Sequence, residues 1–342
     1  MIPYIHVPDI DLKVLSLHPF GILVATGVLI GTGLTTRRAR KIGYDLNQLN
    51  SFVTWMLVAG FIGGHMFDEL MYHFSELVRR PYSIFFLWEG LSSFGGFLGG
   101  LIGIVLWKYL EWRDGFIRVR ATTLPILPFA DLVLSVFPVA WIFGRSGCSV
   151  VHDHPGARTS AETLLAVGYP HAAAGSSYID DIPDAAKTKL GFITLVHGSY
   201  PRFDMGLLEL MFTVILAACF VATWRRRVPM GTYTVVASLA YAPVRFALDY
   251  LRVPESEGGD PRFDLLDALL RAVHVRASGA PAPSIGLALT PAQWFCVLLF
   301  TFGVVMLVRV RKMVARGGDP AAAVRAPPAE AAPPTTTPTE AV

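Results

Sequence analysis

The chain has 342 residues, of which 53% are hydrophobic and only 16% charged, and its mean hydropathy is +0.49. That balance excludes an ordinary soluble domain and reads as an integral membrane protein built as one bundle. The formal charge of +3 is small, and the basic residues gather in short runs between apolar stretches. This is a topology signal and not a nucleic-acid patch, so no nucleic-acid partner is expected.

Met1 to Ser16 has no basic run ahead of a compact apolar core, so it does not read as a cleavable signal peptide. Seven apolar segments follow, at 18–36, 51–72, 91–110, 124–144, 205–223, 231–250 and 291–310. Each is near the roughly 20 residues that cross a bilayer core. Helix is the default, because a lone spanning segment must satisfy its own backbone. The expected fold is therefore all-α: a polytopic membrane protein with seven transmembrane helices.

Basic residues set the expected orientation. Arg37, Arg38, Arg40 and Lys41 follow the first segment, and Lys108, Arg113, Arg118 and Arg120 the third. Arg225, Arg226 and Arg227 follow the fifth, and Arg309, Arg311, Lys312 and Arg316 close the seventh. Every second connection is basic, which puts the N-terminus outside and the C-terminus inside. Arg79 and Arg80 dissent, in the outer connection 73–90. Residues 1–316 form the expected membrane domain, with 149–204 inserted as an external head. The tail, 317–342, is mostly Ala, Pro and Thr and reads as disordered and cytoplasmic. Three cysteines make no disulfide framework; Cys219 and Cys296 read as packing residues, and Cys148 stands close to Arg145.

The chemistry is expected at two arginines in apolar surroundings, Arg145 and Arg245. A guanidinium keeps its charge at any workable pH. At the centre of a bilayer that charge costs about 3 kcal/mol on insertion scales. Such a residue needs an anionic partner, and the abundant anion of a membrane is a lipid phosphate. Arg245, Asp249 and Arg252 are spaced to share a helical face, with Tyr241 one turn earlier. An internal Arg245–Asp249 ion pair is one reading; it leaves Arg252 over, which favours an added anion. Arg145 sits in Gly144-Arg145-Ser146-Gly147-Cys148, either as a site residue or as an arginine reaching to the interface.

His152-Asp153-His154-Pro155-Gly156 follows directly. His-x-His supplies either two metal ligands or a general base, and without a third and fourth ligand at convincing spacing no metal is expected. A plain polar loop is the remaining reading. Glu209, Asp204, His65, Asp68, Glu69 and Asp131 are further polar groups in apolar segments, and such groups mark function or pair with the arginines. Gln293 opens the seventh segment. Gly99, Gly100 and Gly103 read as helix packing, whereas Ser92-Ser93-Phe94-Gly95-Gly96 is placed to break the helix and turn backbone N–H groups toward an anion.

Together these motifs resemble the prolipoprotein diacylglyceryl transferase family, roughly from His18 to Lys312. Leu17-His18-Pro19-Phe20-Gly21 is similar to its opening His-Trp-Tyr-Gly, and Thr36-Arg37-Arg38-Ala39 to its first cytoplasmic basic run. Trp88 to Gly96 resembles its Trp-Asp-Gly-Gly-Met-Ser-Phe-His-Gly-Gly. Gly144 to Cys148 resembles Gly-Arg-x-Gly-Asn, and Arg245 to Arg252 resembles Arg-x-x-x-Glu-x-x-Arg. Gly95 stands where the family has His, Cys148 where it has Asn, and Phe20 where it has Tyr.

The resemblance implies a multi-pass enzyme of the bacterial inner membrane, with a periplasmic head and no cofactor. It would move diacylglyceryl from phosphatidylglycerol to the lipobox cysteine of a prolipoprotein. Arg145 and Arg245 would be its two essential arginines. His152 or His154, with Asp153, would take the thiol proton. Ser93, Gly95, Gly96, Cys148, Gly156, Glu209, Tyr241, Asp249, Arg252 and His18 would shape or hold the substrates. A lipid-binding paralogue, inactive or with another acceptor, and an anion transporter are the alternatives.

Overall fold

A computed structural model describes residues 1–12, 15–71, 73–86, 90, 92–171, 182–226, 228–264 and 288–317. The expected disordered tail lies outside the described residues, but for Gly317. The described residues divide into two compact units, one of residues 1–34 and 133–317 and the other of residues 35–132.

A helix occupies every apolar segment. They are α1 (Pro19–Ile42), α2 (Leu46–Met71), a short α3 (Phe74–Arg79), α4 (Ser93–Tyr109), α5 (Ile126–Val151), α6 (Met205–Thr223), α7 (Thr232–Leu248) and α8 (Pro291–Ala315). Four of them, α1, α5, α6 and α8, are long and apolar enough to cross a membrane, and α4 is a shorter apolar helix. The chain is a mostly helical, multi-pass membrane protein. Local chemistry explains the ends. Pro19 and Pro291 occupy first helical positions, where the missing N–H costs nothing. Thr290 and Gln293 make a reciprocal capping box at the start of α8. Gly43, at φ +77°, stops α1.

The expectation of an all-α fold needs correction. A six-stranded sheet runs in the order β6-β10-β7-β1-β9-β8, from β1 (Ile2–His6), β6 (Pro155–Arg158), β7 (Ala166–Tyr169), β8 (Lys187–Leu190), β9 (Ile193–Val196) and β10 (Tyr200–Asp204). Its strands are too short to announce themselves by alternation, and its central member comes from the other end of the sequence. β1 pairs parallel with β7 and antiparallel with β9. Tyr4, Val167, Tyr169 and Val196 form its buried core, backed by Ile2, Ile182 and Leu207. Burial, and then the Asp204 carboxylate, push the Tyr4 phenol up from 10.0 to about 12 and raise that of Tyr169 as well, so both rings stay neutral. Two hairpins stand beside it among the described residues: β2 (Ile10–Leu12) with β3 (Leu15–Leu17), and β4 (Leu110–Arg113) with β5 (Phe116–Val119). The second turns on Asp114-Gly115, both at positive φ, the geometry a tight two-residue turn requires.

In the second unit α2 and α4 cross through their glycines. A Cβ on Gly63 would lie 2.7 Å from the Gly99 Cα, and one on Gly103 would run into the Trp55 carbonyl. Phe52, Trp107 and Phe129 meet nearby, edge to face around Trp107, in a buried aromatic core.

Candidate active site

Asp204 starts α6: its Oδ1 accepts the Leu207 N–H at 2.8 Å. Gly206, in the first turn, lies against the end of α5. A Cβ there would stand 2.7 Å from the Ser149 nitrogen and 2.9 Å from the Cys148 carbonyl carbon, so only hydrogen fits. This close approach brings Glu209, one turn on, beside Arg145. Arg145 Nη2 is 2.6 Å from Glu209 Oε2. From α7, Arg245 Nε is 3.2 Å from Glu209 Oε1. Two guanidinium groups from separate helices thus share one carboxylate whose side chain is 5% exposed.

The network continues on both sides. Tyr241 OH donates to Glu209 Oε2 at 3.5 Å. The i,i+4 pair anticipated from sequence is present, with Arg245 Nη1 donating to Asp249 Oδ1 at 3.0 Å. The other Asp249 oxygen accepts the Thr290 hydroxyl at 2.5 Å. The helix yields to a 3₁₀ turn at Asp249–Leu251, and Arg252 then pairs with Asp260 at 3.2 Å and approaches Asp249 at 3.9 Å. A cleft of about 250 Å³ opens there, lined by Asp249, Arg252, Asp260, Arg262 and Thr290. Arg145 lies over the Trp141 ring, 5.1 Å from its centroid. Its buried Nε has no hydrogen-bond partner among the described residues. A buried charged donor left unmatched is costly, and is a place where an anion would be welcome.

Beyond Arg145, α5 ends at Val151 and His152 takes the left-handed conformation, φ +51°. The turn carries Asp153 and His154 back toward the last turn of the helix. Cys148 Sγ, an Asp153 carboxylate oxygen and a His154 ring nitrogen all fall within 4.8 Å of one another. His154 Nδ1 donates to Asp153 Oδ1 at 2.5 Å. Arg145 Nη1 donates to Cys148 Sγ at 3.7 Å, so this group adjoins the arginine site.

His152 has a different place. Its Nδ1 meets Asp204 Oδ2 at 2.5 Å and its Nε2 meets the Ile5 carbonyl at 3.0 Å, while its ring stacks on Tyr4. Both ring nitrogens are thus hydrogen-bonded within the protein. Of the two histidines expected to act as base, His152 thereby ties β1 to the ends of α5 and β10. Gly156 is also a close-approach position. A Cβ there would lie 2.6 Å from the Leu251 carbonyl oxygen, and Gly156 bridges Arg252 backbone to backbone. Arg202, fully buried, donates to the Gly156 carbonyl at 3.0 Å.

The remaining expected residues have other partners. His18 is exposed and pairs with Asp9 at 2.8 Å. Ser93, Gly95 and Gly96 start α4, in the other unit. Ser92 caps that helix: its hydroxyl accepts the Gly95 N–H at 3.4 Å and its carbonyl the Gly96 N–H at 2.9 Å. Those N–H groups are thus spent within the helix start. A Cβ on Gly95 would collide with the Phe67 Cβ and the Gly63 carbonyl, which makes it a packing glycine. His65 and Glu69 are buried, bonded to the Gly90 carbonyl and the Ser83 hydroxyl. Gly206 and Thr290 were not anticipated. A lone glycine in an apolar run and a threonine before Pro carry no signal of the contacts they make.

Comparison with known proteins places the chain among its relatives. The phosphatidylglycerol–prolipoprotein diacylglyceryl transferase of Proteus mirabilis is 25% identical over 268 residues, 75% of this chain and 86% of its own length. The protein of that name from Nitratidesulfovibrio vulgaris is 26% identical over 314 residues, 89% of this chain and 95% of its own. That from Escherichia coli is 24% identical over 262 residues, 74% and 85% of the two chains. The family pattern of prolipoprotein diacylglyceryl transferase matches residues 9–309, from ahead of α1 well into α8, and the chain belongs to that family.

Proposed function

We propose that this chain transfers the diacylglyceryl group of phosphatidylglycerol to the lipobox cysteine thiol of a prolipoprotein, in the bacterial inner membrane. The convergence of Arg145 and Arg245 on Glu209 carries the reading. In the reaction the acceptor sulfur, as thiolate, attacks the glycerol carbon next to the phosphate ester. The carbon–oxygen bond breaks, its electron pair leaves with glycerol phosphate, and a thioether forms. The departing phosphate gains negative charge. Two fixed guanidinium groups stabilise that gain more in the transition state than in the ground state.

Glu209 and Asp249 hold the arginines in place, and Tyr241 and Thr290 hold the carboxylates. Arg252 extends the positive lining at the cleft. Cys148, Asp153 and His154 lie where the acceptor thiol is prepared, and the thiol loses its proton at this group. Gly156 sets the position of Arg252.

Seven spans with an external N-terminus and a periplasmic head suit the geometry. β1 and β6 share one sheet, which supports putting both on one side of the membrane. Between them the chain runs through α1, α2, α4 and α5, and four crossings return it to its starting side. Gly156 and Arg252 are bridged as well, with α6 and α7 between them, which makes two crossings. The opposite side then receives the basic ends of α1, α4, α6 and α8, as the charge rule requires.

The test is transfer from phosphatidylglycerol vesicles to a lipobox peptide. Arg145→Ala and Arg245→Ala should each lower the rate by on the order of 10²–10³, the cost of losing a group that stabilises developing charge. Transfer at the original rate in either variant overturns the assignment.

A further inference from the structure

We propose that Cys148, Asp153 and His154 bind a divalent cation of the zinc type, and that its open position receives the acceptor cysteine as a thiolate. The inference rests on the transferase reading and says how that site prepares its nucleophile. The thiol must be ionised, yet a free cysteine has a pKa near 8.5. A thiol that coordinates a divalent metal is deprotonated outright.

The donor set fits. One thiolate, one carboxylate and one imidazole are the ligand types zinc takes. Three protein ligands with a free fourth position are the stoichiometry of catalytic sites, whereas structural sites are closed by four. The ligand atoms already lie within 4.8 Å of one another. Metal–ligand bonds of about 2.0–2.3 Å then need only a modest rotation of Asp153 and His154, which are partly exposed, while Cys148 is buried and fixed. The bond between Asp153 and His154 is exchanged for coordination. The sequence spacing is local, but the convergence is not free. It depends on the left-handed His152 turn, which Asp204, Ile5 and Tyr4 hold in place.

The charges also balance. Ionised Cys148 and Asp153 cancel a divalent cation, so the loaded site is neutral before the acceptor arrives. The incoming thiolate adds one negative charge beside Arg145, whose Nη1 is 3.7 Å from Cys148 Sγ. The same arginine pairs with Glu209, in the group to which the phosphate is assigned under the transferase reading. It therefore joins the nucleophile to the leaving group. On coordination the acceptor thiol gives its proton to water. Its sulfur then forms the bond to the glycerol carbon, and the glycerol phosphate oxygen takes the electron pair. The thioether product is uncharged, the weaker ligand, and departs.

The experiment uses the full chain in nanodiscs, with zinc content measured after dialysis and Co²⁺ as a spectroscopic probe. One zinc per chain and a cobalt–thiolate absorption band are expected. Cys148→Ser should abolish the band, and His154→Ala should weaken zinc binding by roughly 10-fold or more. Cys219→Ser should change neither. Chelation should stop transfer to the lipobox peptide, and zinc should restore it. Transfer that continues under chelation in protein free of metal overturns the proposal while leaving the transferase reading intact. A cobalt–thiolate band that survives Cys148→Ser overturns it too. Zinc bound through Cys148, together with an unimpaired Arg145→Ala enzyme, supports the metal site and sinks the phosphate assignment instead.

Discussion

Glu209 is the residue on which the site turns. Taking one carboxylate and two guanidinium groups out of water is expensive, and their mutual pairing does most to offset it. Glu209→Gln removes the shared anion and leaves both arginines facing a neutral amide. That change should destabilise the protein by about 3–5 kcal/mol, the cost of breaking a buried pair from one side. Unfolding in detergent measures it, and a midpoint equal to that of the parent would mean the arginines are satisfied elsewhere. At this scale the sequence displayed the charges but not their partners. Arg245 and Asp249 are an i,i+4 pair and could be read directly. Arg145 meets Glu209 across a 53-residue stretch between α5 and α6, so nothing in the spacing announces the contact. His152 and His154 look alike in sequence. Only the acceptors around them distinguish a ring with both nitrogens committed from one held by a half-exposed aspartate.

Among the elements, α2 and α4 show how small residues set a close helix crossing. Glycines reduce the separation until backbone meets backbone, and packing supplies the attraction that water-driven burial does not provide in lipid. The glycines are not equivalent. A Cβ on Gly99 would strike the Ala59 carbonyl, whereas one on Gly96 would stand 3.8 Å from the Gly60 oxygen, in ordinary contact. Gly99→Ala should therefore cost on the order of 1–3 kcal/mol through overpacking. Gly96→Ala should be neutral or slightly stabilising, since Ala is the better helix former. Thermal unfolding of the two variants decides it, and equal midpoints would remove the crossing as the cause. The apolar runs and their helices were plain from composition, because a span of about 20 residues leaves few other choices. The helix start at Ser92 and the Asp114-Gly115 hairpin are equally local. The sheet was hidden, since β1 completes it from more than 140 residues away.

For the whole molecule, the sheet ties topology to chemistry. It joins the N-terminal strand, the segment after α5 and the start of α6, and so keeps the His152 turn, Cys148 and Glu209 in register with one another. In the proposed topology it goes with an even number of crossings between β1 and β6. The proposed seven-span arrangement therefore places residue 162 and residue 316 on opposite sides. In sealed cells, Glu162→Cys should react with an impermeant maleimide added outside, and Arg316→Cys should react only after the membrane is opened. Labelling of both from the same side would refute the arrangement. By itself the sequence determined the membrane character and the helical segments, and it singled out the two arginines worth following. These depend on local composition and period, which a linear reading contains. Tertiary structure alone decided that Arg145 and Arg245 share Glu209, that Cys148 joins Asp153 and His154, and that both His152 nitrogens find partners. Each is a meeting of side chains brought together by close approaches such as Gly206 on α5, and a chain's order along the backbone does not encode such distances until it folds.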